Sequence, residues 1–343
     1  MKTDLKQNSL FYKAQLNLDI IILPFAFFII LAALSVATSF QFISFSNFSS
    51  IAFQLPELGL FALAMMLAMS TGGIDLSVIS LANLSGVVMA WLLKSAPTDL
   101  PAGLSMLLAA GVIVVGLMVA VFLGMINGIL VGYVEVPPVL ATLSTMIFYE
   151  GITLSITRGK ALSGMPEMFT SIGNGSILMI PIPFIIFAVL AVIVRIMVKR
   201  SPFGKYQVMM GSNKKALEYA GINVVGTTIK TYMMCAFLAG VAAVIMTSRL
   251  NTANARLGNS YMLLSVLISV LGGTNPDGGY VRVGGVIIAL FTLQILNSGI
   301  NFLGISQFIA LTLWGVLLVL IIMYRRYAAE KRDRLLSDMK RVI

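Results

Sequence analysis

Histidine is absent from the 343 residues, and the single cysteine, Cys235, lies in an apolar run. No histidine proton relay, no His-based zinc site and no disulfide framework can form. Charge is scarce: Asp, Glu, Lys and Arg make up 10% of the chain, against about 25% in a soluble domain. A phosphate cradle is missing as well. Gly159-Lys160 and Gly204-Lys205 lack the earlier glycine and the following Ser or Thr of a P-loop. No nucleophile stands beside a base and no metal-ligating cluster is evident, so no catalytic or metal site and no cofactor is expected on this chain.

Apolar residues are abundant instead. They reach 59%, with a mean hydropathy of +0.98, which predicts an all-α polytopic membrane protein. About ten segments can be placed, near residues 19–40, 50–70, 76–93, 104–133, 138–156, 179–198, 231–248, 261–271, 286–303 and 307–324. The first is too long, and lacks the small-residue site, for a cleavable signal peptide. The eighth has only eleven residues before Gly272-Gly273, short for a straight crossing and open to a re-entrant reading. The net charge of +10 does not imply a nucleic-acid partner. With both termini inside, most Lys and Arg fall in the tails (1–18 and 325–343) and the 199–230 loop, against Lys94, Arg158, Lys160, Arg249 and Arg256 outside. That bias predicts cytoplasmic termini and an even number of crossings.

The 199–230 loop carries a short helix signal. Ser212 or Asn213 can cap it, Lys214, Ala216 and Glu218 sit among helix formers, and Gly221 can close it in a left-handed turn. A weak echo also links two halves of the transmembrane region. One apolar run stops at Gly72-Gly73 before Asp75, another at Gly272-Gly273 before Asp277. Interrupted segments at matching places point to a transport path in repeat-built transporters; chance recurrence among 30 glycines is the plainer reading. Asp75 suits a cap at the start of the third span. Glu57 and Glu135 fall near estimated span ends, where water reaches them. Glu150 could meet Arg158 if the following loop folds back. Ser77, Ser80 and Asn83 on the third span suit either a hydroxyl-rich solute or, more commonly, helix packing.

Four stretches carry a family resemblance: TGGIDLSVISLANLSG (71–86), FLGMINGILVGYVEVPPVLATLSTMIFYEGITLSITRGKAL (122–162), GSNKKALEYAGINV (211–224) and LGGTNPDGGYVRVGG (271–285). Together they resemble the ribose-type permease subunits of bacterial ABC importers, over about residues 45–324. The resemblance implies a multi-pass protein of the bacterial inner membrane and a pore of two permease subunits, a second copy or a paralogue. It further implies a separate ATPase that holds ATP and Mg, an extracytoplasmic solute-binding protein, and a sugar, autoinducer-2 or nucleoside as cargo. The 212–221 helix matches the family's coupling helix. Two departures stand out: Lys214 and Lys215 replace the family's Glu and Ala, and Gly278-Gly279-Tyr280-Val281 replaces Gly-Gly-x-Gly. An ion-coupled secondary transporter is the rival reading, although intramembrane acids are sparse for one. A membrane enzyme or receptor would need a catalytic cluster or sensor domain.

Overall fold

A computed structural model describes residues 24–25, 27–97, 101–306, 308–321 and 323; the expected tails, 1–18 and 325–343, lie outside them. The described chain is helical apart from two two-stranded ribbons. In chain order the helices are α1 (Phe27–Ala37), α2 (Phe45–Ser70), α3 (Val78–Ser95), α4 (Ala102–Gly132), α5 (Pro138–Thr157), α6 (Glu167–Asn174), α7 (Ile182–Arg200), α8 (Pro202–Ser212), α9 (Lys214–Tyr219), α10 (Val224–Leu250), α11 (Ser260–Leu271), α12 (Val283–Phe302) and α13 (Phe308–Ile321). Seven of them are long and apolar enough to cross a membrane, and α1, α11 and α13 are shorter apolar helices. These are the ten expected segments.

α2 and α10 form the centre. From Leu55 to Ser70 every residue of α2 is buried, although Pro56 stands inside the helix. Such a helix, apolar on all sides, is stable only when other helices surround it. α10 packs on α4 through small residues. A Cβ on Gly128 would stand 2.6 Å from Ile229 Cα, and one on Gly240 2.8 Å from the Ala120 methyl. Gly124, Gly128 and Gly132 recur every fourth residue and bring the two backbones together, the small-residue packing of membrane helices.

The 199–230 stretch is more helical than expected. α8 begins at Pro202, where Ser201 Oγ accepts from Gly204 N at 3.0 Å. α10 begins at Val224, not near Thr231, because Asn223 Oδ1 accepts from Gly226 N at 2.7 Å and Val224, Thr227 and Thr228 are buried. α7 likewise starts at Ile182, since Ser176–Ile177 (β2) and Ile180–Pro181 (β3) pair ahead of it. Part of the polar 157–178 loop becomes α6 and β1 (Leu162–Ser163), which pairs antiparallel with β4 (Thr252–Ala253).

α11 is neither a straight crossing nor a re-entrant hairpin. Its 12 residues span about 18 Å, short of the ~30 Å hydrocarbon core. Residues 251–259 supply the rest of the path by descending among the helices. Ala255 O accepts from the buried Asn83 Nδ2 of α3 at 2.9 Å, and Arg256 reaches Glu150 of α5 at 3.1 Å. Beyond α11, Gly279 N donates to Ser70 O at 3.2 Å. The segment therefore runs from the α6 end of the bundle to the α9 end as a broken element.

At that second end the two glycine breaks meet. A Cβ on Gly278 would stand 2.7 Å from Gly72 N, and one on Gly211 of α8 would collide with Ser70 O and Gly279 N. Gly211→Ala is therefore expected to destabilise the fold by about 1–3 kcal/mol through overpacking, while Gly284→Ala, with open space around its Cβ, is neutral or better. Thermal unfolding in detergent compares the two; equal midpoints would refute this close approach.

Candidate functional site

The candidate residues divide between the two ends of the bundle. At the α9 end, Asn213 rather than Ser212 caps α9. Its Oδ1 accepts from Ala216 N at 3.0 Å, whereas Ser212 ends α8 and donates to Val208 O at 3.2 Å. Gly221 takes φ +76°, and Ile222 N donates to Leu217 O at 3.2 Å, a Schellman-type closure. Leu217 is buried with Met210 and Val224. Asn213, Lys214, Lys215, Ala216, Glu218 and Tyr219 are exposed. One buried leucine thus fixes the helix while its remaining surface stays open. Lys214 also pairs with Glu135 at 3.2 Å, in the loop between α4 and α5. Glu135 is exposed there, as the sequence predicts.

Behind α9 lies a buried polar cluster. Asp75 Oδ1 accepts from Ser77 N at 3.0 Å and from Ser77 Oγ at 2.7 Å. It therefore organises the approach to α3 from two residues before Ser77, the N-cap residue. Ser77 Oγ in turn accepts from Asn127 Nδ2 at 2.6 Å, and Tyr149 OH donates to Leu123 O at 3.0 Å beside it. Thr142 Oγ1 accepts from Leu76 N at 3.2 Å. Among the described residues no hydrogen-bond partner meets Asp75 Oδ2 or Tyr232 OH. Burial pushes the Asp75 carboxyl up to about 6, against the opposing pull of the Ser77 hydrogen bonds.

The other transport-path candidates are largely enclosed within the chain. Ser80 donates to Ser77 O at 2.9 Å and Asn83 holds the descending loop; both are buried, as are Gly73 and Gly272. Gly72 is exposed and Gly273 half-buried. The echo is not in register: the left-handed residue is Gly72 in the first break, φ +83°, and Gly273 in the second, φ +97°.

Nearer the α6 end, two ion pairs correct the sequence expectations. Glu57 is not at a wet span end. Its side chain is fully buried, with Arg249 Nε at 2.6 Å, Arg249 Nη2 at 3.0 Å and Tyr261 OH at 3.3 Å. This bidentate pair, joined by Tyr261, ties α2, α10 and α11 together, and Arg249 lines a shallow cleft with Ser50, Phe53, Gln54 and Asn174. Glu150 pairs with Arg256 and not with Arg158, since Arg158 closes α5 in a left-handed turn, φ +51°. Neither pairing was readable from spacing, because the partners are 192 and 106 residues apart. The only sequence signal was a charged residue within an apolar run.

Residues 47–324 match the family model described as the permease component of a branched-chain amino acid transport system. The chain belongs to this family. The permease is 33% identical to the ribose import permease protein of Bacillus subtilis (strain 168), over 78% of this chain and 81% of that one. It is 30% identical to the D-allose transport system permease protein of Escherichia coli (strain K12), over 86% of each chain. With the autoinducer 2 import system permease protein of Enterobacter sp. (strain 638) it shares 29%, over 80% of this chain and 83% of that one. No solved structure matches it. The ribose-type resemblance of the sequence is borne out. The protein is a multi-pass membrane permease, a transporter component.

Two outcomes are expected from this geometry. Glu57→Ala strands the Arg249 guanidinium and lowers stability by roughly 3–5 kcal/mol, whereas Glu135→Ala at the exposed Lys214 pair costs about 0–1 kcal/mol; unfolding in detergent separates them. For Asp75 the folded carboxyl binds its proton more tightly than the unfolded one. Its contribution is complete below about pH 4 and is lost as pH rises through about 6. The wild type should lose up to about 3 kcal/mol over that window relative to Asp75→Asn; parallel pH profiles would contradict it.

Proposed function

We propose that the permease is the membrane subunit of an ATP-binding-cassette importer for a monosaccharide or sugar-like solute. The observation that carries this reading is the extended similarity to ribose and allose permeases, over most of each chain. A second copy or a paralogue completes the pore. ATP and Mg are held by a separate ATPase, and an extracytoplasmic binding protein delivers the solute. The protein sits in a bacterial inner membrane with both termini and the α8–α9 end in the cytoplasm, in keeping with the Lys and Arg bias.

The coupling surface in this reading is α9 and its flanks: Ser212, Asn213, Lys214, Ala216, Glu218 and Gly221. Its support is mechanical. α9 is capped at both ends and seated by Leu217, and the preceding α8 touches the end of α2 at Ser70 and the loop after α11 at Gly278 and Gly279 through Gly211. A push on α9 therefore reaches α2 and α11 through close-packed backbone, as rigid-body switching requires. Gly72, Gly73, Gly272 and Gly273 act here as joints beside the path, and Asp75, Ser77, Ser80 and Asn83 hold α3 in place between them. An autoinducer-2 cargo is the second reading, favoured by the relative of that kind. Family membership weighs against the ion-coupled alternative.

The test is a pull-down of the permease from its native membrane in mild detergent, followed by mass spectrometry. An ATPase and a binding protein are expected in the eluate, and thermal shift of that binding protein against sugars and autoinducer-2 then names the cargo. A permease that elutes alone, under conditions that preserve a known importer, would overturn the reading.

A further inference from the structure

One charged pair lies open at a depth where lipid would otherwise be its surroundings. Glu150 is the thirteenth residue of the 20-residue α5, about 18 Å from its first residue and about 10 Å from its last. Its partner Arg256, on the descending 251–259 loop, stands at 3.1 Å with 73% of its side chain exposed, against 27% for Glu150. On α5 the neighbours of Glu150 one turn away are Met146, Ile147 and Leu154, and the adjoining face is mixed, with Ser144, Gly151 and Ser155 exposed beside Phe148. The exposed faces of α4 and α7 at comparable depth carry Val114, Val115, Met118, Val189, Val192 and Ile193. Charged side chains inside a membrane face a bundle interior or a water-filled cavity, not acyl chains.

We infer that the Glu150–Arg256 pair lines the aqueous solute path and hydrogen-bonds the hydroxyls of an uncharged, polyhydroxylated solute. The inference rests on the importer reading above for its cargo, but not for the wetting of the face. The pair is neutral as a unit, so it presents no net field to reject or trap a neutral solute. The carboxylate accepts from a hydroxyl and the guanidinium donates to one. The bond to Glu150 engages only one of the five guanidinium donors. A cationic or anionic cargo would meet one like charge wherever it met the pair.

The experiment uses the full chain in native-membrane vesicles, with Cys235→Ala to remove the buried native thiol. Arg256→Cys is treated with a membrane-impermeant methanethiosulfonate, with Val192→Cys on α7 as the lipid-facing control. The Arg256→Cys thiol should react at least about tenfold faster, because the reactive species is the thiolate and only a wetted thiol ionises. If that variant fails to assemble, Ile147→Cys, exposed one turn before Glu150 on α5, takes its place. In parallel, uptake of labelled D-ribose and D-allose is measured with the partner ATPase and binding protein present. Glu150→Gln and Arg256→Gln should each raise the half-saturation concentration about tenfold, and the exchanged pair E150R/R256E should recover part of the loss. Thiols as inert as the α7 control, in a transporter that still takes up sugar, would overturn the inference and leave the importer reading standing. A wetted thiol in a transporter that takes up neither sugar would support the aqueous path and overturn the cargo.

Discussion

Three stretches of backbone touch where α2 ends, α8 ends and the 272–282 loop turns, and the arrangement of the bundle depends on that contact. Gly279 N donates to Ser70 O, and Gly211 leaves no room for a side chain between them. A contact made of backbone cannot slide or repack as side chains do. It fixes the depth at which α2 stops and the depth at which α11 stops. It also joins both to α8, which leads directly into the exposed α9. Cores built at this closeness switch between discrete arrangements and do not deform continuously, so displacement of α9 and displacement of the two breaks are one event.

The ion pairs divide by depth, and depth determines what each can do. Lys214–Glu135 is exposed on both sides and contributes little beyond positioning the α4–α5 loop beside α9. Glu57–Arg249 is buried, bidentate and joined by Tyr261. Its removal leaves a stranded charge, so it acts as a clasp on α2, α10 and α11 near the α6 end. Glu150–Arg256 lies at membrane depth yet open. The clasp and the glycine contact hold α11 at both ends, and its middle is buried between them, with Ser269 Oγ donating to Ala62 O of α2.

Much of this architecture was legible in the sequence. The ten apolar segments, the short eighth one, the Asn213–Gly221 helix and the two glycine breaks follow from hydropathy, capping residues and punctuation, all of which act within a few residues. The Gly124–Gly128–Gly132 stripe is equally local, but its four-residue spacing does not say which helix it meets, and only the packing against α10 does. The start of α10 was placed too late because Lys230 looks like a loop residue, although packing of Val224, Thr227 and Thr228 extends the helix past the membrane edge. The acid partners were illegible for a different reason. Glu150 and Arg158 are near in sequence, but α5 turns left-handed at Arg158 and only tertiary packing brings Arg256 to Glu150.

The descending 251–259 loop connects these points. Irregular backbone at membrane depth persists only where protein satisfies it or where it borders water. This loop shows both conditions. On its inner side Ala255 O is met by Asn83 and Ala253 pairs with Leu162, so that face is enclosed. Arg256, on its other side, is open and meets a single carboxylate. A loop satisfied on one side and charged on the other separates a packed interior from an aqueous space, and a half-length α11 is what remains once the outer half of the segment has been given to that loop. The brevity of α11, unexplained by hydropathy alone, therefore follows from the same division.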